Sequence, residues 1–236
     1  MSRFMFGYRH RRNCFTHHCI FTAFATKTRY TENVFVSAGN PLYRMDFFEE
    51  AYHGTPPWDI GRPQREFVRL EESGEISGVV LDAGCGTGEN ALFLAGRGHD
   101  VLGVDSAPAA IERARKKAVE RGLAATFLVM DTLKLNEIGR TFDTVIDSGL
   151  FHTLSDSERP VFVRNLSLVL KPGGIYFMLA FSDREPGGYG PRRIAKKEIM
   201  DAFSDGWRIN EIRDAVFESR TREEGSRAWL SSITRV

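Results

Sequence analysis

The stretch Leu81-Asp82-Ala83-Gly84-Cys85-Gly86-Thr87-Gly88 decides how this chain reads. It closes an apolar run, Val79–Ala83, and leads into an amphipathic segment near Asn90–Arg97, which makes it a strand, a glycine-rich turn and a helix start. Glycines in such a turn let the backbone approach a ligand and aim helix-terminal N–H groups at its oxygens. Asp105 lies 23 residues after Asp82, at the end of the next apolar run. A carboxylate there can accept both hydroxyls of a ribose. These parts suit an adenosine-containing ligand. The spacing is G-x-G-x-G and lacks the G-x-G-x-x-G of dinucleotide sites. Asp82 would also set a negative charge where a pyrophosphate belongs, and it suits a cationic ammonium or sulfonium group instead. A dehydrogenase is therefore a remote reading.

On either side of this stretch, apolar runs alternate with amphipathic segments. Strands are expected at Val79–Ala83, Val101–Asp105, Ala125–Met130, Thr144–Asp147 and Ile175–Phe181, with helices near Asn90–Arg97, Ala107–Arg121 and Asp156–Leu170. Gly122 stands where a helix C-cap belongs, Ser155 with Glu158 reads as a capping box, and Lys171-Pro172-Gly173-Gly174 ends the third helix. Short apolar strands separated by helices indicate a parallel sheet covered on both faces. The tail adds a helix near Lys196–Phe203 and two strands, Trp207–Phe217 and Ala228–Thr234, which should pair antiparallel at an edge. Upstream, a short helix containing Phe47, Phe48 and Ala51 stops at His53-Gly54. The rigid turn Thr55-Pro56-Pro57-Trp58 and a helix through Phe67, Val68 and Leu70 follow.

Residues 1–44 differ from the rest. They carry seven basic residues against Glu32 alone, 7 − 1 = +6, whereas residues 45–236 carry 25 basic against 30 acidic, −5. A disordered tail, a mitochondrial-type transit peptide, or translated upstream sequence ahead of a true start at Met45 are the three readings of this extension, and it is expected to be dispensable. The domain is then 45–236. Its mild acidity gives no reason to seek nucleic acid, and no apolar stretch is long enough to span a membrane. Cys14, Cys19 and Cys85 make no disulfide framework, which points to a reducing, cytoplasmic setting, or a mitochondrial one if the extension is a transit peptide. Cys14 and Cys19 lie near His10, His17 and His18 but match no zinc spacing, so no metal is expected.

On these residues the chain resembles the class I S-adenosylmethionine-dependent methyltransferases, from about Phe47 to the C-terminus. The resemblance implies an α/β, Rossmann-like three-layer sandwich whose seven-stranded sheet runs 3-2-1-4-5-7-6 with strand 7 antiparallel. It implies S-adenosyl-L-methionine as cofactor, with Gly84, Gly86 and Gly88 along its methionine part and Asp105 on its ribose. Asp131 and Thr132, after the third strand, would meet the adenine, while Asp147, Ser148 and Phe151, after the fourth, would meet the sulfonium and amino-acid portion. Asp82, Cys85, Asn90 and Ser106 complete that expected cofactor set. The run Gly54-Thr55-Pro56-Pro57-Trp58-Asp59-Ile60-Gly61-Arg62-Pro63 is similar to the thiopurine, thiocyanate and halide methyltransferase group, which implies that Trp58 packs over the cofactor. Asp147-Ser148-Gly149-Leu150-Phe151-His152, with Ser182-Asp183 and Gly190-Pro191, resembles bacterial methyltransferases of hydroxyquinolone-type heterocycles and benzoquinols. Plant halide enzymes usually lack an aspartate corresponding to Asp82, so halide methylation is disfavoured.

The acceptor is therefore expected to be a small-molecule sulfur, oxygen or nitrogen nucleophile, and the chain a monomer or homodimer. A macromolecular acceptor, such as tRNA or protein, and a non-catalytic cofactor-binding subunit are the alternatives. Methyl transfer needs alignment and exclusion of water more than proton chemistry. If a base exists, His152 is the candidate, beyond the fourth strand on the edge where open α/β sheets hold their sites. The glycine- and proline-rich segment Glu185–Pro191, with Tyr189 at its centre and Arg192 beside it, is expected to form a lid over the acceptor.

Overall fold

The computed structural model describes residues 41–188 and 190–236. Its sheet has seven strands, ordered β3-β2-β1-β4-β5-β7-β6. These are β1 (Val79–Ala83), β2 (Asp100–Asp105), β3 (Ala125–Val129), β4 (Phe142–Ser148), β5 (Leu170–Phe181), β6 (Trp207–Phe217) and β7 (Ser226–Arg235). β7 runs antiparallel to both of its neighbours and the pairs from β3 through β5 are parallel. The expected order and the antiparallel edge are both present.

Helices cover both faces: α1 (Pro41–His53), α2 (Arg65–Glu72), α3 (Glu89–Gly96), α4 (Pro108–Arg121), α5 (Glu158–Val169) and α6 (Lys196–Ala202). The strands feed two cores because successive side chains point to opposite faces. Leu81, Val145, Tyr176 and Met178 pack with Phe162 and Leu166 of α5 and Ile199 of α6. Val80, Ile146, Phe177 and Leu179 pack with Phe67 of α2, Leu92 of α3 and Ile111 of α4. Central strands buried on both faces therefore read as continuous apolar runs.

Punctuation follows the sequence with two amendments. Gly122 caps α4 in the left-handed region at φ 62°. At α5 the Glu158 half of the expected box is present, with an added bond. The Glu158 carboxylate takes the Ser155 backbone N–H at 2.8 Å, as a capping box requires, and it also takes the Ser155 hydroxyl at 2.8 Å. β5 starts five positions before Ile175, at Leu170, which pairs with Phe142 across a register shift. Burial of Leu170 and a 2.7 Å contact between Lys171 and Asp143 hold this extra piece against β4.

The carboxyl ends of β1, β2, β4 and β5 share one edge. The β6–β7 loop, residues 218–225, reaches the same edge because Phe217 pairs with Ser226. That convergence positions the site.

Candidate active site

A cavity of about 500 Å³ opens at this edge, and a smaller one of about 60 Å³ adjoins it over the glycine-rich turn. Its floor is Gly84, Asp105 and Ser106. Asp131 and Thr132 close one end, and Ser148, Gly149, Leu150 and His152 the other. Phe47, Phe48, Tyr52 and Trp58 form a roof. The Trp58 indole donates to the Tyr52 hydroxyl at 2.9 Å, and Phe48 and Tyr52 meet Trp58 edge-on.

Asp105 is preset for a diol. One carboxylate oxygen accepts the Gly86 N–H and the other the Ala107 N–H, each at 2.9 Å. Each oxygen keeps lone-pair capacity for a further donor. Burial, partly offset by these amide bonds, raises its pKa. Asp131 caps the turn after β3 by accepting the Leu133 N–H at 3.0 Å, and it also faces the cavity. Gly86, at φ 53°, sits so close under Tyr52 that a Cβ would come within 2.5 Å of its hydroxyl. Cys85 and Asn90 line the smaller cavity, and the space beside Gly88 is filled by Phe127 and Ala114.

Asp82 lies one layer deeper than the sequence implied. It is fully buried beneath the turn, and neither carboxylate oxygen has a hydrogen-bond partner of ordinary geometry among the described residues. Burial and the nearby Asp147 charge push its pKa up to about 8, against a weaker pull from the Ala91 N–H. A carboxylate in that condition is stabilised by a cation brought to the turn. With the Asp105 diol cradle and the aromatic roof, it fits S-adenosylmethionine.

Three further expected contacts sit elsewhere. Asp147 points into the core. Its carboxylate accepts the Leu150 and Phe151 N–H groups at 2.6 and 3.0 Å and the Tyr176 hydroxyl at 2.7 Å, which shapes the turn after β4. Burial lifts its pKa to about 6 against these bonds. Phe151 is wholly buried against Phe162 and Phe203. Arg192 turns away from the cavity to pair with Asp156 and Glu198, because α6 brings a carboxylate beside it. Tyr189 lies outside the described residues, as do Cys14, Cys19 and the histidines near them.

His152 does line the cavity. Its Nδ1 accepts the Phe181 N–H at 3.1 Å, so the neutral ring carries its proton on Nε2. Burial, then the charges of Arg193 and Arg159, hold its pKa down to about 3. Arg193 also secures the loop after β5 by donating to the carbonyls of Glu185, Pro186 and Pro191.

The β6–β7 loop and its flanking residues carry no local sequence signal of a role in the site. Phe217, Ser219, Thr221, Arg222 and Ser226 form a wall of the cavity. Gln64 exchanges two 2.9 Å hydrogen bonds with the Glu218 backbone, and Arg62 forks onto the Glu218 carboxylate at 3.0 Å. The Arg220 N–H reaches the Pro57 carbonyl at 2.8 Å.

Residues 80–174 match the model of a family described as "Methyltransferase domain". The chain is 38% identical over 182 residues to a 2-heptyl-1-hydroxyquinolin-4(1H)-one methyltransferase of Mycobacteroides abscessus, covering 72% of this chain and 80% of that one. It is 27% identical over 176 residues to thiocyanate methyltransferase 1 of Brassica oleracea, with coverages of 72% and 76%. A structure solved in connection with the conversion of a disulfide bond into a thioacetal group during echinomycin biosynthesis superimposes at TM-score 0.74, with 38% identity over 81% of this chain and 92% of that one. With this fold and this cavity, the chain belongs to the S-adenosylmethionine-dependent methyltransferases.

Proposed function

We propose that this enzyme methylates a flat aromatic small molecule on an oxygen, sulfur or nitrogen atom, and that residues 45–236 suffice for it. The observation that carries the acceptor class is the lining beyond the cofactor end: His152, Leu150, Phe181 and Phe217 face Phe47 and Phe48 across one cavity. Aromatic walls bury a planar ring and favour edge-on and offset ring contacts. Hydroxyquinolones, quinols and aryl thiols match that shape, and the relative that acts on a hydroxyquinolone supports the choice.

S-adenosylmethionine, when bound, supplies a methyl group activated by a sulfonium. In this reading Asp105 holds its ribose, Asp131 and Thr132 border its adenine, and Ser148 and the glycine-rich turn flank its amino-acid part. Asp82 balances its positive charge from beneath. Trp58 and Tyr52 close the roof, and Gly190, Pro191 and the loop 218–225 exclude water from the acceptor side. Exclusion and alignment are what an in-line displacement needs most.

The test is a screen of hydroxyquinolones, quinols, thiols and halides, following S-adenosylhomocysteine formation and the methylated product by mass. It uses the full chain, a version starting at Met45, and one starting at Asn40 that retains all of α1. Turnover of planar aromatic acceptors by all three is expected. Turnover confined to halides or to aliphatic thiols would overturn the acceptor class, and loss of activity in the version starting at Met45 or in the one starting at Asn40 would overturn the domain reading.

A further inference from the structure

We propose that His152 is a neutral hydrogen-bond donor, through Nε2–H, to an acceptor that reaches the cavity already ionised. It thereby selects acceptors acidic enough to lose their proton in water. The proposal rests on the aromatic-acceptor reading above and assigns His152 a role other than that of a base.

The geometry fixes the tautomer. Phe181 is the last residue of β5, and its N–H points at Nδ1. An amide hydrogen can approach that nitrogen only where a lone pair stands, which leaves the ring proton on Nε2. Nε2 hydrogen-bonds to no described residue, and the ring's small remaining exposure faces the cavity. Gly149 keeps the space next to it open: a Cβ there would come within 3.2 Å of Nε2 and 2.9 Å of the Phe217 ring. Phe181 and Phe217 meet the imidazole at 5.1 and 5.9 Å and each other at 5.3 Å between ring centroids, so the three rings form one wall of the cavity, and an acceptor ring laid against that wall brings its polar atom to Nε2.

The surrounding charges agree with that role. Arg193, from the loop after β5, and Arg159, from α5, both disfavour an imidazolium. Asp147, at the start of the same turn, is engaged by two backbone amides and Tyr176 and does not face the ring. Across the cavity Arg222 pairs with the buried Glu185. Asp105 and Asp131, the carboxylates lining the cavity, are both engaged by backbone amides at the cofactor end. Among the described residues no group at the acceptor end is set to remove a proton. The acceptor's lone pair forms the new bond to the methyl carbon while the methyl–sulfur bond breaks and its electron pair stays on sulfur. With the acceptor ionised beforehand, no proton has to move.

The experiment uses full-length protein saturated with S-adenosylhomocysteine. Nitrogen-15 spectra of the imidazoles report the His152 tautomer from pH 5 to 8. 4-Nitrophenol and 4-nitrothiophenol serve as probes, because ionised and neutral forms differ in colour. The proposal expects an Nε2–H ring that does not titrate in this window and binding of the ionised probe with a displaced Nε2–H resonance. In His152→Asn, whose amide oxygen can still accept the Phe181 N–H, affinity for the ionised probe should fall about tenfold or more, the range of a hydrogen bond to a charged group, while S-adenosylhomocysteine affinity is retained. A ring carrying Nδ1–H, a His152 titration near its ordinary pKa, or equal probe binding by the Asn variant would each overturn it. Inactivity toward every aromatic acceptor, with these spectra as expected, would instead count against the acceptor class proposed above.

Discussion

At the scale of single residues, the site stores electrostatic cost in Asp82. Its folded-state pKa of about 8 stands above the ordinary value of 3.8, so the native state holds a proton that the unfolded chain releases between those pH values. That contribution is fully present below pH 3.8 and is lost as pH rises toward 8. Asp82→Asn, which cannot ionise, should therefore raise the melting temperature of the ligand-free protein at pH 8 by about 3 °C or more, the equivalent of about 1 kcal/mol in a chain of this size. The same change should weaken S-adenosylmethionine binding. Thermal melts at pH 5 and 8 check the first part, and a wild-type protein already as stable as the variant at pH 8 would refute it. His152 has the opposite sign: its pKa is depressed, so it makes acid destabilising as the unfolded chain takes up a proton below about pH 6.5.

At the scale of elements, the glycine turn and the roof fit one another. Gly86→Ala should destabilise the protein by about 2 kcal/mol, from the left-handed backbone together with the collision with Tyr52. In a Tyr52→Phe background the collision is gone and the penalty should fall to about 1 kcal/mol. Denaturant unfolding of the four proteins of this cycle measures it, and an unchanged penalty would show that the two residues do not touch. The ion pairs on α6 are unequal in a similar way. Arg192 is partly exposed, and Arg192→Ala should cost under about 1 kcal/mol. Glu198→Ala leaves the buried Arg159 without its 3.0 Å partner and should cost about 2 kcal/mol, the partial exposure of Glu198 reducing the usual penalty for a stranded charge. Equal losses in the two melts would contradict this account.

These elements also show what the sequence reveals. Strand and helix positions were readable because the central strands are buried on both faces and the helices carry stripes and caps, as Gly122 does. The glycine turn and Asp105 were readable because they are close in sequence and adjacent in the sheet. The inward turn of Asp147 and Phe151 was not. β4 is buried except at Asp143 and Ser148, and periodicity does not tell which way side chains at its end and in the following turn will point. Arg192 looked like an acceptor contact until α6 placed Glu198 next to it. The β6–β7 wall was illegible for another reason: Arg62 and Glu218 are 156 residues apart, and their pairing follows from the sheet order, with no local signal.

At the scale of the whole molecule, one edge of one sheet gathers a diol cradle, a buried carboxylate, an aromatic roof and two loops from the far end of the chain. Calorimetric titration of the folded protein with S-adenosylmethionine tests that arrangement most directly. Saturable binding of one ligand per chain is expected, with affinity lowered at least tenfold in Asp105→Ala, where the hydrogen bonds to the ribose are lost. Absence of heat with both S-adenosylmethionine and S-adenosylhomocysteine, or full affinity in the Asp105 variant, would contradict it.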